Sequence, residues 1–142
     1  MKEYQRKRNN KYHLPHEAYN ATIWTIRDYE RLKESAQAIL DESPPLPDGQ
    51  PKGRASKGAI EIKALKRDAY LTKINAIEKG LEKIPREYRQ GIWDNIVSYK
   101  RYPDDAAKST YGIYKARFVF FYNIHYDAFF LFSFELTICF NQ

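Results

Sequence analysis

Few side chains in the sequence could act as catalytic or metal-binding groups. His13 and His16 lie at helix-like spacing beside Glu17. A zinc site uses about three or four protein ligands, and no cysteine or third ligand accompanies these histidines, so we interpret them as surface residues. Asp104 and Asp105 could be the paired carboxylates of a nuclease, but adjacent residues rarely converge on one metal ion. We instead expect them at the start of a helical turn, where negative charge is favourable.

Other catalytic signatures are missing from the sequence. It has no glycine-rich phosphate loop and no Ser/His/Asp arrangement. Cys139 is the single cysteine and can form neither an internal disulfide nor a thiolate metal site, which favours a reducing compartment inside a cell. Trp24 and Trp93 are expected in the core rather than as stacking platforms for single strands. We therefore predict no enzyme activity, no metal site, no cofactor and no small-molecule substrate.

The charge of the chain points to a polyanionic partner. Its 142 residues include 24 Lys and Arg against 18 Asp and Glu, a net charge of +6. Nucleic acid is the commonest partner of such a protein, and a membrane surface is the main rival. The charge is unevenly distributed, because residues 1–117 carry a net +8 and residues 118–142 a net −2. The N-terminal residues contain no apolar run and do not resemble a secretory signal.

Apolar periodicity predicts an all-α fold that begins with a long helical hairpin. Residues 1–13 form a basic arm, and one helix is expected from Pro15 to about residue 41. A linker rich in proline and glycine follows at residues 43–57, and a second amphipathic helix runs to residue 84, before Pro85. Residues 14–84 are therefore predicted to be a two-helix hairpin, although a linker of this length would also permit a parallel pair.

Residues 85–121 have the pattern of a helix-turn-helix. A bracing helix is predicted at residues 86–97 and a recognition helix at residues 109–121, with Ser109 or Thr110 as its N-cap. Four aromatic residues of the second helix recur every three or four positions and form an inward face: Tyr111, Tyr114, Phe118 and Phe121. In such motifs the N-terminal half of the second helix enters the major groove of DNA.

Small and basic residues opposite the aromatic face are the predicted DNA contacts. Small residues allow close approach to base edges, and basic residues neutralise phosphates. We expect base contacts from Thr110, Gly112, Lys115 and Ala116, and phosphate contacts from Lys100, Arg101, Lys108 and Arg117, with Ser109 at the start of the same surface. The alternative is that these charges simply cover a solvated helix face.

The segments LEKIPREYRQGIWDNIV and YPDDAAKSTYGIYKARF resemble the C-terminal helix-turn-helix of sigma-factor region four. Over about residues 11–120 the whole plan is similar to phage transcriptional activators of the RinA and ArpU type. The resemblance implies regulation of phage gene transcription through double-stranded promoter DNA, with recognition by residues 109–117 and bracing by residues 87–97. It is also compatible with a homodimer and a contact to host RNA polymerase. A helical module that binds the polymerase or a phage assembly partner is the alternative function.

Residues 122–142 form an atypical apolar tail. All eight phenylalanines lie after residue 117, and residues 132–140 alternate apolar and polar side chains as a β-strand does. A shifted reading frame, an amphipathic anchor and a pairing edge strand all remain open. A membrane-spanning helix is disfavoured, because Asn123, His125, Asp127 and Glu135 would lie inside it.

Overall fold

The computed structural model describes residue 5, residues 10–42 and residues 57–139, with side chains up to residue 127. Within these residues all regular elements are helices. They are α1 (His16–Arg27), α2 (Tyr29–Asp41), α3 (Lys57–Glu82), α4 (Arg86–Ser98) and α5 (Lys108–Cys139). The predicted all-α class is confirmed. Most of the predicted basic arm and nearly all of the predicted linker lie outside the described residues.

The prediction of a single helix over residues 15–41 is wrong, because the chain turns at Asp28 and forms two helices. This residue has φ −85° and ψ 4°, and its N–H group is shared between the carbonyls of Trp24 and Thr25. The carboxylate of Asp28 forms an ion pair with Arg31 in the first turn of α2, and this hydrogen bond lowers the pKa of Asp28. The turn allows α1 to pack against α4 and α5 while α2 packs against α3.

Helices α2 and α3 run antiparallel. At one end, the hydroxyl of Tyr29 donates to Oε1 of Glu78 over 2.8 Å. At the other end, Nζ of Lys63 lies 3.5 Å from Oε2 of Glu42. The start of α2 therefore meets the end of α3, and α1 takes no part in this pair.

All five helices contribute side chains to the core. Its largest fully buried side chains are Ile23, Ile26, Leu32, Ile77, Ile84, Ile92, Ile96, Tyr111, Phe118 and Val119. At Gly80, α3 packs closely against α5. A Cβ atom at this position would lie 3.0 Å from Cδ2 of Phe118 and 3.2 Å from its carbonyl oxygen. A larger residue at position 80 would therefore separate the two helices.

The end of α5 contradicts the edge strand that was one of the alternatives for residues 132–140. The helix continues to Cys139 in the described part of this segment. A helix satisfies its own backbone hydrogen bonds, whereas a strand needs a neighbouring strand, and the described residues contain none. None of the helices in the described ranges combines the length and the apolarity needed to cross a membrane.

Candidate nucleic-acid interface

Helix α4 lies directly beneath the first turns of α5. The ring of Tyr88 stacks on Tyr114, with centroids 4.8 Å apart, and meets Tyr111 edge to face at 5.2 Å. Ile92 and Ile96, one and two turns further along α4, are fully buried. Tyr111 and Tyr114 therefore turn inward, as predicted, and α4 supports the start of α5.

The connection between the two helices closes over Tyr111. Tyr102 stacks on this ring with centroids 5.0 Å apart, and the Tyr111 hydroxyl donates to Oδ1 of Asp105 over 2.7 Å. Burial, together with this hydrogen bond, raises the pKa of Tyr111 to about 12. Gly91 provides the space for the connection, because a Cβ there would lie 2.8 Å from both Cδ of Pro103 and Cε1 of Tyr111.

Two polar residues hold the C-terminal end of α4. Arg27, at the end of α1, donates from Nε to the carbonyl oxygen of Ile96 over 2.8 Å. Asn95 donates from Nδ2 to the carbonyl oxygen of Lys100 over 2.7 Å. Tyr99 follows the helix in the left-handed conformation, with φ 56° and ψ 22°. These contacts satisfy carbonyl groups at and just beyond the helix end and fix the direction of the chain towards α5.

The prediction that Lys115 and Ala116 lie on the open face of α5 is wrong. Lys115 is only 9% exposed and Ala116 only 5%. The Lys115 ammonium group donates to Oδ1 of Asn95 over 3.0 Å, so it connects α5 to α4. A buried lysine requires a polar partner, and here the partner is on the bracing helix. Both residues are therefore packing residues in this structure.

The other predicted contact residues are accessible to different degrees. Four of them are exposed: Lys100, Arg101, Lys108 and Ser109. Thr110, Gly112 and Arg117 are partly buried, and the guanidinium of Arg117 lies 5.9 Å from the ring centroid of Phe121. α5 begins at Lys108, so Ser109 and Thr110 both lie in its first turn. The prediction that one of them is the N-cap is therefore wrong.

The first two turns of α5 present small residues to open space. A Cβ atom at Gly112 would meet no atom within 4 Å. Ser109 lies three residues earlier, on the same side of the helix, and is exposed. In the connection before α5, Nζ of Lys100 lies 3.1 Å from Oδ2 of Asp94, and this contact lowers the pKa of Asp94. Exposed small residues on α5 therefore occur together with three exposed cations in the connection and at the start of α5: Lys100, Arg101 and Lys108.

Comparisons of the chain with protein-family models, with curated proteins and with solved structures find no match. The resemblance to RinA-type and ArpU-type activators therefore stays a prediction. A search of the described residues finds no group of three or more His, Cys, Asp and Glu side chains suited to a metal ion.

The expectation that both tryptophans lie in the core is wrong for Trp24. Trp93 is half-buried and meets Tyr29 edge to face at 5.1 Å. Trp24, in contrast, is 66% exposed. The buried stripe of α1 consists of Tyr19, Thr22, Ile23 and Ile26, and position 24 falls outside it. The helical spacing alone could have placed Trp24 on the surface.

Asn95 and Arg27 position the motif but were not among the residues predicted from the sequence. Asn95 lies on the inward side of α4, three residues after Ile92 and next to Ile96. A polar residue at such a position is a signal, because it needs a partner when it is buried. Arg27 carries no comparable signal, since its acceptor lies 69 residues away in the chain.

Proposed function

We propose that this chain binds double-stranded DNA through α4, the following connection and the first two turns of α5, as a regulator of phage gene transcription. The main support is the open surface of α5 around Ser109 and Gly112, directly above a bracing helix. Small residues on a helix of this kind allow its backbone to approach the edges of bases. The resemblance to phage activators supports the regulatory role.

Phosphate contacts are assigned to the cations that border this surface. Lys100 and Arg101 lie in the connection, and Lys108 begins α5; all three are exposed. The N-terminus of α5 adds the positive end of a helix dipole, which favours phosphate. Lys115 and Ala116 are removed from the predicted contacts because they are buried. Thr110 and Arg117 retain a secondary role at the edge of the surface.

A salt titration tests this assignment. Binding of a fluorescently labelled random-sequence duplex is measured by anisotropy for the natural chain and for a triple variant, Lys100→Ala with Arg101→Ala and Lys108→Ala. Each lost phosphate contact should flatten the slope of log K against log salt by about 0.9, or about 2.7 for all three. The matched control is Lys63→Ala with Lys66→Ala and Lys79→Ala on α3, which removes the same charge from exposed sites. Equal effects of the two triple variants would contradict the assignment.

A protein-interaction function is the second candidate, and exposed apolar residues on α3 favour it. Ile60, Ile62 and Leu65 are between 57% and 69% exposed. A groove of about 430 Å³ lies between this part of α3 and the end of α2, lined by Ile39, Leu40, Ile60 and Ala64, with Lys63, Arg67 and Asp68 at its edge. Purified host RNA polymerase is the partner to test, after nuclease treatment. Binding that Leu65→Lys abolishes while duplex binding is retained would support this function.

A further inference from the structure

Two exposed aromatic residues flank one guanidinium group beside the connection between α4 and α5. The Cζ atom of Arg27 lies 5.4 Å from the ring centroid of Trp24 and 4.3 Å from that of Tyr99. Trp24 is 66% exposed and Tyr99 50% exposed. Both distances are within the range of cation–π contacts. The three groups form one surface, which we term the aromatic cluster.

The backbone conformation at position 99 does not favour an aromatic residue. Tyr99 has φ 56°, a conformation that favours glycine and is an outlier for a bulky side chain. Its ring is half exposed and contacts the guanidinium of Arg27. Glycine would end α4 without this strain. A strained and exposed aromatic residue suggests a role in binding.

The surroundings of the aromatic cluster favour a nucleic acid as its ligand. Lys100 and Arg101 follow Tyr99 directly and are exposed, so the neighbouring surface is cationic. A shallow hollow of about 460 Å³ lies beside Trp24 and is lined by Thr25, Arg27 and Asp28. Single-stranded nucleic acids bind where aromatic faces accept bases and cations follow the phosphates. The carboxylate of Asp28 is compensated by its ion pair with Arg31 and can accept a hydrogen bond from a base amino group.

We propose that Trp24, Arg27 and Tyr99 form a stacking site for an unpaired base of a nucleic acid, next to the duplex surface and sharing Lys100 and Arg101 with it. The guanidinium of Arg27 is held by the carbonyl of Ile96, so the cluster is ordered before the ligand arrives. A base stacks on the exposed face of Trp24 or Tyr99, and Lys100 and Arg101 contact the adjoining phosphates. The ligand class is a single strand or an unpaired segment next to a duplex.

Tryptophan fluorescence tests the stacking site directly. The chain has two tryptophans, so Trp93→Phe leaves Trp24 as the only one. A short oligothymidylate should quench Trp24 in a saturable manner. A strand of equal length that consists of abasic sugar phosphates carries the same charge and should leave the emission unchanged. Quenching by neither strand, or equal binding of both strands, would overturn the proposal, because only attraction to phosphate would then remain.

Tyr99→Gly separates a binding role from a structural role. It removes the ring and relieves the left-handed strain, so the melting temperature should be maintained or raised. The affinity for labelled oligothymidylate should fall roughly 5- to 150-fold, which equals about 1–3 kcal/mol for one stacked base. Trp24→Ala should have a similar effect. The control is Leu65→Ala, an exposed apolar residue on α3, which should leave the affinity unchanged.

The stacking site and the duplex surface can fail independently. If Trp24 emission does not respond to the oligothymidylate but labelled duplex is still bound, the stacking site is overturned and the proposed function stands. If the oligothymidylate quenches Trp24 but no duplex is bound, the stacking site stands and the proposed function is overturned. Unchanged affinity of Tyr99→Gly for the oligothymidylate would also count against the stacking site.

Discussion

The ammonium group of Lys115 donates a hydrogen bond to Oδ1 of Asn95 over 3.0 Å and so joins α5 to α4. The amide nitrogen of the same asparagine donates to the carbonyl oxygen of Lys100 in the connection. Asn95 of α4 therefore contacts both α5 and the connection between the two helices. Lys115 therefore points towards α4 and does not lie on the outward face of α5.

Lys115 is predicted to contribute to stability rather than to DNA contact. Lys115→Met retains most of the side-chain volume but removes the donor, leaving Asn95 without this partner. The free energy of unfolding should fall by about 1.5–3 kcal/mol, the usual range for a hydrogen bond to a charged group. Denaturant unfolding of Lys115→Met, Asn95→Ala and the double variant should show that the two effects are not additive. A Lys115→Met variant of natural stability that no longer binds duplex DNA would show the opposite role.

Gly91→Ala should destabilise the motif. The new Cβ would lie 2.8 Å from atoms of Pro103 and Tyr111, both of which pack over this position. Overpacking of this kind costs about 1–3 kcal/mol, partly offset by the better helix propensity of alanine, worth about 1 kcal/mol. The melting temperature is the measurement. A melting temperature above that of the natural chain would mean that the connection does not pack on Gly91.

Gly112→Ala should have the opposite effect on stability and lower the affinity for DNA. Its Cβ meets no atom within 4 Å, so alanine should raise the free energy of unfolding by about 0.5–1 kcal/mol through its helix propensity. The same methyl group would occupy the space that a base edge needs. Thermal unfolding and duplex anisotropy on one sample give both values. A variant that is more stable and binds duplex as tightly as the natural chain would remove Gly112 from the interface.

Alkaline pH should weaken the fold through its buried tyrosines. Burial, with hydrogen bonds to Asp105 and Glu78 respectively, raises the pKa values of Tyr111 and Tyr29 to about 12, and burial raises that of Tyr122 to about 12. In the unfolded chain these hydroxyls ionise near pH 10. Their contribution is therefore complete below about pH 10 and is lost as the pH rises towards about 12.

The alkaline effect can be assigned by absorbance and mutation. Tyrosinate absorbance of the folded chain should show that these three tyrosines ionise later than exposed ones. Tyr111→Phe should reduce the fall in melting temperature between about pH 10 and 12. Simultaneous ionisation of all tyrosines near pH 10 in the folded chain would contradict the prediction.

The sequence predicts the helices better than the contacts between them. Apolar spacing is a local property, so α3, α4 and the inward turn of Tyr111 could be predicted from it. The break at Asp28 was missed because apolar residues recur on both sides of it, and the turn is determined by packing of α1 and α2 on different helices. The strand pattern of residues 132–140 was overridden, since periodicity alone does not provide a partner strand.

In the candidate site, too, the sequence predicts local helical positions but not contacts between helices. Lys108 and Ser109 are exposed, as predicted, because their positions relative to the inward Tyr111 and Tyr114 are set by the helical angle. Lys115 follows Tyr114 directly, and its burial depends on Asn95 of another helix, which no local pattern shows. A long basic side chain is usually exposed, so only its tertiary partner explains its position.

Cross-linking from position 109 tests the proposed duplex surface most directly. In a Cys139→Ser background, Ser109→Cys and the control Asn75→Cys, an exposed residue on α3, are each labelled with a photoactivated aryl azide and bound to a labelled random-sequence duplex. Binding of the duplex through α5 should give a covalent adduct from position 109 and little or none from position 75. Equal adducts from both positions, or none from position 109 in a chain that binds the duplex, would contradict it.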